Sequence, residues 1–293
     1  MPNQIASAEN YVAKLDKKYV QETKTSVLDS NVEVEYNKKT KKFDVGRFEV
    51  DGLGDYDRNA EGGVNAYAGG TATLVWDSYE PDYERSKRIR IDAIDDQDAQ
   101  FLAFANVAAT LIEDHASLEL DAYRYSRYAN TEGITKVEEN LEDATATLKA
   151  LRKGSTEMNQ NNVKENGRYL FIDHDYYDNI EDLDTTKSKK VLDRFEKVIP
   201  VNSNLFMDKI TLNKGKDGVY GYTRPEDAKR INFMIIQKDA VMQFIRHKSP
   251  KTIDASVNQL ADANEWLYRI QALCNVYKNK TKGIYVSVQG AEG

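Results

Sequence analysis

Thr71-Ala72-Thr73-Leu74-Val75-Trp76-Asp77, followed after a short break by Lys87-Arg88-Ile89-Arg90-Ile91-Asp92-Ala93, is the stretch on which the fold turns. In the first run Ala72, Leu74 and Trp76 share a face; in the second Ile89, Ile91 and Ala93 oppose Arg88, Arg90 and Asp92. A period of two marks a half-buried strand. The connection, Ser78-Tyr79-Glu80-Pro81-Asp82-Tyr83-Glu84-Arg85, is acidic and contains a proline. Ahead of it, Gly52, Gly54, Gly62, Gly63, Gly69 and Gly70 interrupt any regular element between Asp51 and Gly70. The span 48–94 therefore reads as a long two-stranded excursion with a charged surface. An isolated hairpin is marginal in water, so this one needs something else to lie on.

Upstream, Asn10 to Asp29 reads as a polar, weakly amphipathic helix carrying Tyr11, Leu15, Tyr19 and Val27. Val32 to Tyr36 alternates as a strand, Asn37 to Lys42 is a charged turn, and Phe43 to Val50 is extended again. Downstream, Asp95 and Asp96 are helix starters. Phe101, Phe104, Ala108, Leu111, Ile112, His115, Leu118, Ala122, Tyr125 and Ala129 then recur at three- and four-residue steps, with no Gly or Pro from Asp82 to Glu132. An unbroken helix over 99–129 would be roughly 45 Å long, a spine rather than a core helix, unless it breaks near His115 to Ser117. The second half alternates. Val137, Leu141, Ala144, Leu148 and Leu151 share a helical face that Gly154 ends, and Leu183 to Val198 is a further helix. Tyr169 to Ile172 and Ile231 to Ile236 suit buried strands, 266–276 alternates as a long strand, and 283–288 closes the chain as another.

Composition narrows the function. The 293 residues carry 41 Lys+Arg against 48 Asp+Glu, a net charge of −7, which argues against a dedicated nucleic-acid binder. No run of about 18 apolar residues is present to span a membrane. The N-terminus carries no secretory signal pattern. The single cysteine, Cys274, excludes an intrachain disulfide and multi-cysteine metal sites and reads as an inert buried thiol. A 40% hydrophobic share and a mean hydropathy of −0.68 leave the chain short of core for its length. Its 18 Tyr are twice its 9 Phe, and Tyr suits half-wet interfaces.

Catalytic motifs are absent. Gly52-Leu53-Gly54 begins a dinucleotide fingerprint without its third glycine, and Gly215-Lys216-Asp217-Gly218 makes no phosphate loop. The one metal candidate is Asp173-His174-Asp175 with Asp178, Glu181, Asp182 and Asp184, oxygen donors suited to a hard cation but without calcium-loop spacing. The alternative is a strand ending in helix-capping acids. His115 reads as a hydrogen-bonded core or interface histidine, and His247 belongs to the basic patch Arg246-His247-Lys248.

A polar arm, a long charged hairpin, a spine helix and then an α/β domain, in that order, resemble the major capsid proteins of tailed phages, the Hong Kong 97-type fold. The stretches that carry the likeness to phages and prophages of Gram-positive hosts are Val50 to Asn59, Leu120-Asp121-Ala122-Tyr123-Arg124, Glu181 to Ser188, Ile231 to Ile236 and Lys282-Gly283-Ile284-Tyr285. The resemblance implies an α+β fold with an N-terminal arm over 1–44 and an extended loop over 45–94. The spine helix of a peripheral domain would follow over 95–132, joined later by 250–278, then an axial domain over 133–249 and a C-terminal strand and tail over 279–293.

In such shells the extended loop of one subunit lies across its neighbour. The resemblance therefore makes Asp77, Glu80, Asp82, Glu84, Arg85, Lys87, Arg88 and Arg90 candidate inter-subunit contacts. It further implies a non-enzymatic protein without cofactor or metal, assembled as pentamers and hexamers into an icosahedral shell around double-stranded DNA. A scaffolding protein, separate from this chain, and a portal would be its partners. The place would be the virion, after assembly in the bacterial host cytoplasm. Some relatives cross-link through Lys and Asn side chains, but no local pattern nominates a pair here. Two alternatives remain: an encapsulin-like compartment of the same fold, and a metal-dependent hydrolase built on Asp173 and Asp175.

Overall fold

The computed structural model describes residues 23–30, 36–37, 39–59, 67–93, 115–183, 185–216 and 218–290. The chain divides into two compact units, Asn31–Pro81 and, as the larger, Met1–Ser30 with Asp82–Gly293.

The smaller unit is a three-stranded antiparallel sheet of β1 (Tyr36–Asn37), β2 (Lys42–Val50) and β3 (Ala72–Tyr79), in that order. The charged turn is built by Asn37, whose side-chain oxygen accepts from the backbone N–H of Lys39 at 3.0 Å and of Thr40 at 3.3 Å. Lys41 completes it at φ 58. In the β2–β3 register Val50 faces Ala72, Phe48 faces Leu74 and Gly46 faces Trp76. The pairing expected between 71–77 and 87–93 does not form. β3 takes β2 instead, and the second run, β4 (Tyr83–Asp92), belongs to a different sheet. Pro81, which has no N–H to donate, stands where the chain leaves one ladder for the other.

In the larger unit β4 is the edge of a sheet ordered β11 (Val241–Ile253), β12 (Ala263–Val276), β4. Its alternating apolar side chains explain the partner: Tyr83, Ile89 and their neighbours stand opposite Ala272 and Trp266 of β12. Helix α1 (Ser117–Ala129) covers that face, with Leu120 packed among Tyr83, Trp266, Tyr268 and Ile270. His115 and Ala116 wind with π geometry just ahead of α1, at the point where the sequence allows the expected spine to break; 94–114, the rest of that spine, lies outside the described residues. So do 1–22 and 31–35; of the helix expected to Asp29, Lys24–Leu28 is a short 3-10 turn.

A second sheet has the order β5 (Thr135–Glu138), β13 (Ile284–Val288), β10 (Ile231–Gln237), β6 (Arg168–Asp173), β7 (Lys197–Val201). One face presents Phe171, Met234 and Val286 to Tyr125 and Tyr128 of α1. The other presents Leu170, Ile172, Phe233, Ile235 and Tyr285 to the helices α2 (Ala144–Gln160), α3 (His174–Leu183) and α4 (Thr186–Leu192). Burial on both faces is why β6 and β10 read as continuous apolar runs. A two-residue pair, β8 (Thr211–Leu212) with β9 (Tyr222–Thr223), completes the unit.

Two helix expectations are corrected. Val137 lies in β5 rather than in a helix, and α2 starts only after Asp143, whose side chain accepts from the Ala146 N–H at 2.6 Å. Gly154 does not end α2 but lies within it, because a Cβ there would meet Tyr285 at 2.9 Å and Ile235 at 3.0 Å. Its missing side chain lets the helix close onto the sheet. The helix expected over 183–198 is instead α4 followed by β7; Thr185 and Ser188 form a reciprocal capping box that starts α4 afresh.

Candidate functional site

The β2–β3 hairpin exposes an apolar stripe. Phe48 (74% exposed), Val50, Leu74 and Trp76 (63%) all fall on one face by the two-residue alternation, and the tip adds Leu53, Tyr56 and Tyr67. The stripe is ordered by its own contacts. A Cβ on Gly46 would lie 3.3 Å from both the Trp76 ring and Leu74, so the glycine seats the indole against the backbone, and Tyr56 meets Tyr67 edge-on at 4.9 Å. Asp51 straps the two strands at the tip by accepting from the Thr71 N–H and hydroxyl, both at 2.7 Å, which holds its carboxyl below the usual range. A contiguous apolar surface held in shape and left open to solvent is the mark of an interaction site. Sequence reading found the Leu74–Trp76 face but missed Phe48 and Val50, because the strand across from it was misassigned.

The candidate contact residues have partners within the chain. Asp77 accepts from Arg47 at 2.8 Å, and Glu80 pairs with Lys42 at 2.6 Å. Asp82 pairs with Arg127 at 3.1 Å and accepts from the Cys274 N–H; burial pushes its pKa up. Glu84 pairs with Arg269. Arg85 donates to Glu119 at 2.6 Å and to the carbonyls of Asn213 and Gly221, closing the β8–β9 loop onto β4. Arg88 and Arg90 both bind the nearly buried Glu265, at 2.6 and 2.8 Å. Lys87 lies over the Tyr220 ring at 3.4 Å.

The two arginines, Arg88 foremost, bring the Glu265 pKa down to about 2 from 4.5. A depressed carboxyl stabilises the fold above its unfolded pKa and ceases to as pH falls through its folded one. Thermal melts between about pH 5 and pH 2 should therefore lose stability progressively, and Glu265→Gln should flatten that part of the curve.

The acidic candidate is not a metal site. Asp173, fully buried, accepts from both Nε and Nη2 of Arg230 at 2.7 and 2.6 Å, and Asp175 takes the same guanidinium. Asp173 also accepts from the Asp175 N–H at 3.1 Å and from Ser203, so its lone pairs are spent on capping α3 and holding Arg230. Asp178, Glu181 and Asp182 are exposed, Asp184 lies outside the described residues, and no metal-binding group of acids, His or Cys occurs among those described. His115, expected in a core or interface, is exposed, as is His247. Cys274 is fully buried, and burial pushes its thiol up to about 12.

A buried polar clasp that sequence reading did not find lies under 23–30. Asp121 on α1 accepts from the N–H groups of Lys24 and Thr25 and from the Thr25 hydroxyl. Arg124, with no exposure, donates to that hydroxyl at 2.8 Å and to Asp29 at 3.4 Å. Gln243 of β11 donates to Asp29 and the Thr25 carbonyl, and Lys24 reaches the Pro200 carbonyl of β7. The segment thus ties the two larger sheets of that unit, through β11 and β7, to α1.

No protein-family model matches this sequence, and no curated protein does. Solved structures do. The capsid structure of cyanophage P-SCSP1u is 14% identical, with a TM-score of 0.53, covering 85% of this chain and 84% of that one. The capsid structure of Staphylococcus phage Andhra is 9% identical, with a TM-score of 0.54 over 90% and 83%. The fold is the Hong Kong 97-type capsid fold. A virus-like particle from Pyrococcus furiosus shares it at 10% identity and a TM-score of 0.51, over 73% of this chain and 79% of that one. No helix among the described residues is long and apolar enough to cross a membrane.

Proposed function

We propose that this chain is a tailed-phage major capsid protein, a non-enzymatic subunit that assembles through pentamers and hexamers into an icosahedral shell around double-stranded DNA. The observation that carries the reading is the exposed, pre-shaped apolar stripe of the hairpin on a chain with the capsid fold. Such a stripe marks a surface that another surface covers, and a second copy supplies one in a closed shell. The division into an arm over 1–44, an extended loop within 45–94, a peripheral domain on 95–132 and 250–278, an axial domain over 133–249 and a terminal strand over 279–293 belongs to this proposal. The strand pairing favours drawing the loop's end at Pro81.

Of the candidate contacts, Glu80, Glu84, Arg88 and Arg90 keep much of their side chains exposed and are the ones retained at subunit boundaries. A scaffolding protein and a portal complete the proposal, with the virion as the site and the host cytoplasm as the place of assembly. Sedimentation of the purified chain, expressed alone and with a scaffolding partner, should reveal particles far heavier than the 33.3 kDa subunit. Subunit-sized species alone under both conditions would reject the reading.

A further inference from the structure

A cavity of about 570 Å³ opens along β4 in the larger unit. Strand register builds much of its lining. Arg269 of β12 stands between Ser86 of β4 and Ser249 of β11; two residues back along β12, Leu267 stands between Arg88 and Lys251. Residues paired across strands share a face, so both rows lie on one side of the sheet, and His247, two residues from Ser249, is on that side too. The β8–β9 loop adds Lys214 and Tyr220. That loop is braced: Arg85 donates to the carbonyls of Asn213 and Gly221, and the Asn213 amide donates to the Tyr220 carbonyl at 3.0 Å. Gly215, at φ 72, leaves room for the Tyr220 ring, which would lie 3.0 Å from a Cβ there, and Lys87 lies over the same ring.

The charges in the cavity do not balance. No aspartate or glutamate is among its described lining residues. Arg85 is offset by Glu119 and Arg269 by Glu84, but Arg88 shares the single carboxylate of Glu265 with Arg90. Lys87, Lys214 and Lys251 have no acidic partner among the described residues. In a chain of net charge −7, a cleft lined by one sign of charge concentrates its field on a small counter-ion. A carboxylate would bring one charge and two oxygens. A phosphate chain brings several charges and acceptor oxygens on every side, which ammonium and hydroxyl donors converging from different strands can meet together. Duplex DNA, with a charge about every 1.7 Å, would run past the cavity over an acidic chain. We infer that the cavity binds a di- or triphosphate group, held by Lys87, Lys214 and Lys251 with the hydroxyls of Ser86 and Ser249 as further donors. No phosphate-loop motif is needed, and 215–218 lacks its spacing. Every residue named belongs to one subunit, so the site stands apart from the shell reading.

Isothermal titration calorimetry of the purified full-length chain with tripolyphosphate should find one site per chain. Raising the salt from about 50 to about 300 mM should weaken binding several-fold, because the rim is open to solvent. Lys214→Gln with Lys251→Gln should weaken it by about tenfold or more. Lys149→Gln with Lys153→Gln removes the same charge from α2, away from the cavity, and should leave the affinity as it was. All four lysines are exposed, so circular dichroism melts of both variants should match the wild type. Adenosine triphosphate as a second probe separates the sources: an affinity equal to that of tripolyphosphate assigns the site to a free phosphate chain, a tighter one to a nucleotide, and either upholds it. Absence of binding with both probes, an equal loss in the two lysine pairs, or binding confined to a duplex DNA probe overturns the inference.

Discussion

Phe48→Asp combined with Trp76→Asp should give a folded subunit that makes no shell. Both side chains are more than half exposed within the subunit, and Trp76 lies against Gly46. Changes at such positions usually stay within about 0.5 kcal/mol of the parent. The melting curve should therefore barely move. In an assembly the same two side chains would be buried, each worth about 1.5–3 kcal/mol, and aromatic anchors of this kind dominate interface energies. Losing both, and placing two charges in an apolar seam, should cost on the order of 3–5 kcal/mol per contact, about a thousandfold in affinity. Repeated around a closed shell, that is enough to abolish it. Particles formed by the double variant at wild-type concentration would show that the stripe is not the seam.

The second large effect is internal. Arg124→Ala should destabilise the larger unit by about 3–5 kcal/mol, as removal of one member of a buried charged network does. The Asp121 carboxylate, whose pKa burial already pushes up against the hydrogen bonds of Thr25 and the charge of Arg124, would lose its nearest compensating cation. Thr25 and Asp29 would lose a donor together. For a unit of this size the midpoint should drop by about 10 °C. Limited proteolysis should then cut first within 23–30, the segment that the clasp holds. Arg124→Lys keeps the charge without the fork and should fall between the two. Unchanged melting of Arg124→Ala would mean that the clasp contributes nothing.

These two sites differ in how far the sequence disclosed them. The apolar face of β3 was legible from Ala72, Leu74 and Trp76 alone, since period-two alternation depends only on the strand itself. The strand across from it was not. β2 and β4 both alternate, and a charged run such as Lys87 to Asp92 pairs equally well with either neighbour on paper. The choice was made by the long β12 strand, some 170 residues onward, where Trp266, Tyr268 and Ile270 offer the apolar partners that β4 needs. β6 and β10 were readable because burial on both faces leaves no polar position to confuse the pattern. Gly154 misled for a local reason: glycine signals a helix end by default, and only the closeness of Tyr285 explains it inside α2. The clasp was beyond sequence reading altogether. Asp121 and Arg124 read as polar positions between the apolar ones of that helix until Thr25 and Gln243 are brought against them from opposite ends of the chain.

The low apolar share has a physical meaning in this setting. The hairpin unit places Phe48, Val50, Leu53, Leu74 and Trp76 in solvent rather than in a core of its own. A chain that spends its large side chains this way is suited to burying them against copies of itself. Negative-stain electron microscopy of the purified chain, with and without a co-expressed scaffolding partner, tests that claim most directly. Closed icosahedral particles or five- and six-membered rings are the expected result; fields of small globular particles alone, under both conditions, would rule out the shell.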